Sequence, residues 1–145
     1  MSGALPEPVI TVGGLNDLLN RAFPDRTGDL PGRVVALSTG FARLELEPQP
    51  HMGRPGGLVS GPTQMGLADH AAYAVILAHA GPLLMAVTHT LTISFLRGCQ
   101  YAPLTADASL LKLGRRLATV DVRLWQGSAD RVVAQATVGY ALPPA

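Results

Sequence analysis

Residues Gly56–Gly81 read GGLVSGPTQMGLADHAAYAVILAHAG, and a single acid, Asp69, interrupts a run of Ala, Leu, Met, Val and Ile. Pro62 suits a first helical turn and Gly81-Pro82 stops the far end, so the stretch predicts a helix of about 18 residues. Its polar residues are too few to form a wet face. A helix that is apolar all round is wrapped by the rest of its protein. A carboxylate buried there without partners costs several kcal/mol, so Asp69 needs either hydrogen-bond donors or a chemical task.

The segments that follow supply the wrapping. AVTHTLTISFLRG (86–98) alternates Val87, Leu91, Ile93 and Phe95 with Thr88, Thr90, Thr92 and Ser94. LTADASLLKLG, RRLATVDVRLWQG and DRVVAQATVGYAL then read as three more strands, joined at turn signals such as Gly114 and QGSAD. Four consecutive strands predict an antiparallel meander. Upstream, Arg33 to Glu47 reads as one strand ending in a clear alternation, and PQPHMGRPGG as a long loop of the kind that often carries function. Leu15, Leu18, Leu19, Ala22 and Phe23 follow helical spacing until Pro24, which predicts a short amphipathic helix. The fold class is therefore α+β, one long central helix wrapped by a curved antiparallel sheet. All 145 residues form a single domain, with 1–32 as an arm and short helix and 33–142 as the core.

Composition excludes several functions. Hydrophobic residues make up 48% of the chain, charged residues only 14%, and the net charge is +1, so no basic field suits nucleic acid. The longest apolar stretch is broken by His79 and Gly81-Pro82, short of the roughly 20 residues of a membrane span. One cysteine, Cys99, and a start without a secretory pattern point to a reducing cytoplasm. His51, His70, His79 and His89 lack ligand spacing, so no metal is expected, and each reads as a packed or surface residue. Gly56 to Gly61 has phosphate-loop spacing, but Pro62 stands where the lysine must be. GLVSG misses the nucleophile elbow by one residue.

Three segments together carry a family likeness. GLVSGPTQMGLAD (57–69), THTLTISFLR (88–97) and LGRRLATVDV (113–122) resemble the hotdog-fold acyl-CoA thioesterases of the phenylacetic-acid-degradation type, over roughly residues 33–142. In that family a glycine-rich segment, typically Asn-x-x-Gly-x-x-His-Gly-Gly, enters the helix, and an acid lies nine residues after the histidine. Asp69 lies nine residues after Ser60. The resemblance implies that Gly57 and Gly61 are family glycines, and that Asp69 is the catalytic carboxylate, acting as general base or nucleophile. It also places Thr88 where some relatives hold the water. Arg54, Ser60 and Pro62 stand where the family has asparagine, histidine and a second glycine.

On this reading the Gly61 N–H and the helix dipole would stabilise an oxyanion. Gln64 and Tyr73 are further candidate substrate contacts, and Arg97, Arg115 and Arg116 would hold the phosphates of coenzyme A by charge-assisted bonds. The plainer readings stand beside these: Ser60 as a helix cap, Gln64, Thr88 and Tyr73 as packed residues, and the arginines as solvated strand ends. The implied activity is hydrolysis of an acyl-CoA to a carboxylic acid and coenzyme A, with no separate cofactor. The alternative is a non-catalytic acyl-CoA binding or assembly module. A long edge strand over Ala86 to Arg97 predicts pairing with its own copy, hence at least a homodimer. The family often forms a dimer of dimers, a homotetramer.

Overall fold

The computed structural model describes residues 4–26 and 30–144, so part of the N-terminal arm and of the link to the core lies outside the described residues. Helix α1 (Val12–Ala22) starts at Thr11, whose Oγ1 accepts the Gly14 N–H at 3.1 Å, and ends before Pro24. Its Leu15 and Leu19 are fully buried. Helix α2 (Gly61–Ala80) has Ser60 as its N-cap and ends at Gly81, whose φ of 96° only glycine adopts easily. From Leu67 to His79 every α2 residue except Asp69 is buried. The alanines 68, 71, 72, 74 and 78 let the sheet approach the helix axis, while Leu67, Val75, Ile76 and Leu77 fill the space between.

The strands are β1 (Arg33–Ser38), β2 (Phe41–Leu46), β3 (Gly53–Arg54), β4 (Leu58–Val59), β5 (Val87–Phe95), β6 (Leu104–Leu113), β7 (Leu117–Trp125) and β8 (Val132–Ala141). Six of them form one antiparallel sheet in the order β1-β2-β6-β7-β8-β5, and β3 and β4 form a separate ribbon. The long helix inside this sheet is the hotdog arrangement. The inner face is aliphatic: Leu44 on β2, Leu104 and Ala106 on β6, Val120 and Val122 on β7, Ala136 and Val138 on β8. Alternate positions face outward, where Arg43 forms a double hydrogen bond to Asp107 at 2.7 and 3.0 Å.

Two expectations need correction. Arg33 to Glu47 is a hairpin, not one strand, because Gly40 at φ 65° turns the chain there. Buried His79 anchors this turn to the last turn of α2: its Nε2 accepts the Gly40 N–H at 2.9 Å and its Nδ1 lies 2.7 Å from the Val75 carbonyl. The four C-terminal strands are also not a simple meander, since β5 pairs with β8. The connection after β5 is tied to the β3–β4 ribbon through Val59 N–H to Cys99 O and Tyr101 N–H to Gly57 O. That detour lets β6 pair with β2.

One irregularity in β5 sets up the site. Thr88 pairs with Tyr140 and Leu91 with Val138, with a bulge between Thr88 and Thr90. Simple alternation would put Thr88 on the face opposite Leu91. The extra residue reverses the parity and turns Thr88 inward. Gly139 accommodates the crowding, since a Cβ there would lie 2.6 Å from Thr90 Oγ1 and 2.8 Å from His89 Nε2. Beyond the bulge, β5 remains an edge whose residues are exposed or half-buried, including Val87, Leu91, Ile93 and Phe95. Among the described residues no helix is long and apolar enough to cross a membrane.

Candidate active site

Asp69 is half-buried, two turns into α2, and its carboxylate meets two hydroxyls. Thr88 Oγ1 donates to Oδ1 at 2.6 Å and Tyr140 Oη donates to the same oxygen at 2.7 Å. Hydrogen bonds to an ionised acceptor contribute about 1.5–3 kcal/mol each, which offsets the cost of placing a carboxylate here. Among the described residues no hydrogen bond reaches Oδ2. One oxygen is held and the other is open.

Asp69 also lines a cavity of about 910 Å³, together with Phe23, His51, Met52, Thr63, Gly66, His70, Tyr73, Met85, Thr88 and Tyr140 among others. Three of its side chains form an aromatic wall. Tyr73 stacks on Tyr140 at 6.0 Å between ring centroids, and Phe23 meets Tyr73 edge-on at 5.9 Å. The Tyr73 hydroxyl donates to the Leu84 carbonyl at 2.9 Å, which fixes the ring. Burial pushes the Tyr140 hydroxyl far above the usual tyrosine value, so it remains a donor at any working pH.

The structure thus brings Asp69, Thr88 and Tyr73 together and leaves the other candidates elsewhere. Ser60 is the helix cap: its Oγ accepts the Thr63 N–H at 3.3 Å and donates to Thr63 Oγ1 at 2.9 Å. Gln64 is buried and donates to the Val59 carbonyl at 3.2 Å. Arg54 and Gly57 lie on the exposed β3–β4 ribbon. Arg97 lines a separate cleft of about 320 Å³ with Gln100, Gln126 and Arg131, and Arg115 and Arg116 are exposed on the β6–β7 turn. Gly61 does not line the cavity that holds Asp69. It sits about 12 Å back along the helix and about 80° round it, under the Phe95 ring, whose Cζ is 3.5 Å from where a Cβ would stand. Within one chain Gly61 and the Asp69 carboxylate do not converge.

Two residues go beyond the sequence reading. Tyr140 was missed; its only signal is a hydroxyl-bearing ring at the end of the aliphatic inner face of β8. His70 is packed, as read, but it also forms part of the cavity wall, where Phe23 meets its ring edge-on at 6.1 Å. Burial lowers the His70 imidazole to about 4, with the Arg26 charge acting in the same direction and Asp69 against it. Because the folded value lies below the unfolded one, the neutral ring contributes stability that is intact above about pH 6.5 and is lost as pH falls toward 4. The shift corresponds to roughly 3 kcal/mol. The melting temperature is expected to fall between about pH 7 and pH 4.5, and His70→Gln should flatten that slope. An unchanged slope in the variant would reject this account.

The family model for the thioesterase superfamily matches residues 56–133, from the helix entry through β7. A presumed thioesterase from Silicibacter sp. TM1040 is 37% identical, superposes with a TM-score of 0.84, and the match covers 95% of each chain. A presumed esterase of Saccharolobus solfataricus is 26% identical over 125 residues, 85% of this chain and 80% of that one. A phenylacetic-acid-degradation-related protein from Ralstonia eutropha JMP134, at 24% identity, a TM-score of 0.74 and coverage of 86% and 98%, shares the fold. With a matched segment that spans more than half of the chain and contains both Asp69 and Thr88, this protein belongs to the hotdog-fold thioesterase superfamily.

Proposed function

We propose that the protein hydrolyses acyl-CoA thioesters, with Asp69 as the general base. The observation that carries this reading is the asymmetric carboxylate of a cavity-lining residue: Oδ1 holds two hydroxyl donors, no hydrogen bond among the described residues reaches Oδ2, and Asp69 lines a cavity large enough for an acyl group. Oδ2 takes a proton from a water, and the water oxygen forms a bond to the thioester carbonyl carbon. As the tetrahedral intermediate collapses, the C–S bond breaks. The thiolate of coenzyme A leaves and is protonated to the thiol, and the acid is released.

The oxyanion needs a donor, and Gly61 of Asp69's own chain does not line the cavity. We place that donor, the Gly61 N–H, on a second copy. Antiparallel self-pairing of β5 about Leu91 sets the Phe95 end of one strand beside the Thr88 end of the other. Since Phe95 covers Gly61 and Thr88 holds Asp69, the same pairing brings Gly61 of one copy toward Asp69 of the other. It would also remove the open edge of β5 from solvent. Arg97, Arg115 and Arg116 remain proposed partners for the nucleotide phosphates.

Thiol release from short, medium, long and aromatic acyl-CoAs tests the activity directly. Release from at least one class is expected. No release from any of them would reject hydrolysis and favour the non-catalytic acyl-CoA binding module.

A further inference from the structure

We infer that Tyr140 is a positioning residue that locks the Asp69 carboxylate, so that Oδ2 faces the cavity and the Thr88 hydroxyl is free to turn toward the attacking water. The inference rests on the reading of Asp69 as the base. Tyr140 lies on β8, beyond the segment that the family model covers. Along the inner face of β8, Ala134, Ala136 and Val138 press on α2, and the next inward position carries a phenol only 3% exposed. That phenol is directly across the strand pair from Thr88, so one carboxylate oxygen is held from two adjacent strands.

The two donors are not equivalent. Thr88 is exposed at the cavity rim, whereas Tyr140 is walled in by Tyr73, whose ring is in turn backed by Phe23. Beside Asp69 Oδ1, the Tyr140 hydroxyl lies 3.2 Å from the Asp69 backbone carbonyl and within hydrogen-bond reach of the Thr88 hydroxyl. The carboxylate and carbonyl acceptors both belong to Asp69, so a bond to either one ties Tyr140 to that residue. A quarter-turn of the carboxylate about its Cβ–Cγ bond, which costs little when the group is free, breaks the two bonds to Oδ1, whereas a half-turn only exchanges two equivalent oxygens. With Tyr140 holding Oδ1, Thr88 can give up its own bond to that oxygen without releasing the carboxylate. Its oxygen can then accept a hydrogen bond from the water whose proton goes to Oδ2.

A core tyrosine that merely satisfies its hydroxyl would affect stability and leave turnover of the folded protein unchanged. The test is a double-mutant cycle of Tyr140→Phe and Asp69→Asn, measured with an acyl-CoA that the wild type hydrolyses, together with melting temperatures. Tyr140→Phe is expected to lower kcat by about tenfold or more, with KM within about twofold. In the Asp69→Asn background the same change should have no further effect, because it acts only through the carboxylate. Tyr140→Met, which also lacks the hydroxyl but packs differently, should lower kcat to the same extent. It keeps the question answerable if the Phe variant melts too early. An unchanged kcat in either folded variant, or a loss that multiplies with that of Asp69→Asn, would overturn the inference. Should Asp69→Asn itself keep its turnover, the reading of Asp69 fails instead.

Discussion

Asp69→Asn is expected to reduce turnover by at least about a hundredfold, the low end for removal of a general base, while leaving the fold intact. The side chains have nearly the same shape, and the amide oxygen can still accept from Thr88 and Tyr140 at the positions now 2.6 and 2.7 Å from Oδ1. What the amide cannot do is take a proton from water on its second arm. The variant should therefore melt close to the wild type and bind acyl-CoA with similar affinity, which isolates the chemical step. Hydrolysis at near-wild-type rate by a folded Asn variant would remove Asp69 from the mechanism.

Gly61→Pro should produce a loss of similar or greater size, about a hundred- to a thousandfold, as for removal of an oxyanion donor. Because position 61 is helical and precedes Pro62, where a Cβ is disfavoured, the melting temperature of the variant is measured alongside its activity. Proline is favoured in the first helical turn, and Ser60, at φ −68° and ψ 154°, already has the extended conformation required before a proline. A Cβ at position 61 would meet Phe95 at ordinary contact distance, 3.5 Å. Gly61→Ala keeps the N–H and is the control; it should retain most of the activity. Mixing the Gly61→Pro and Asp69→Asn proteins then tests whether the site is shared. If Gly61 serves the other copy's Asp69, each mixed dimer has one site with both defects and one with none. Random exchange would restore roughly a quarter of the wild-type activity. If each chain serves its own site, every site in the mixed dimer carries one defect and nothing is regained.

The central architecture was legible because it depends on periodicity. The apolar run through α2 and the alternation in β6, β7 and β8 predict a wrapped helix and a wrapping sheet, and both are present. The anomaly of Asp69 was also visible, since a lone carboxylate in such a helix is costly wherever the chain folds. Pairing partners were less accessible. Whether β5 joins β6 or β8 depends on how residues 96–103 tie to the β3–β4 ribbon, contacts between segments far apart in sequence. The turn at Gly40 was hidden because a strand-like composition continues on both sides of it.

The sequence alone determined that Asp69 would lie on an enclosed helix and that Ser60 could cap it, because both follow from local spacing and propensity. Tertiary structure decided which groups reach the carboxylate. Simple alternation assigns Thr88 to the wrong face, and only the bulge opposite Gly139 turns it inward. Tyr140 is 71 residues away in sequence and meets Asp69 only because β8 lies beside β5 and over the helix. A bulge and a long-range register are settled by the balance of many packing contacts rather than by any local pattern, and they set the hydrogen bonds of the Asp69 carboxylate.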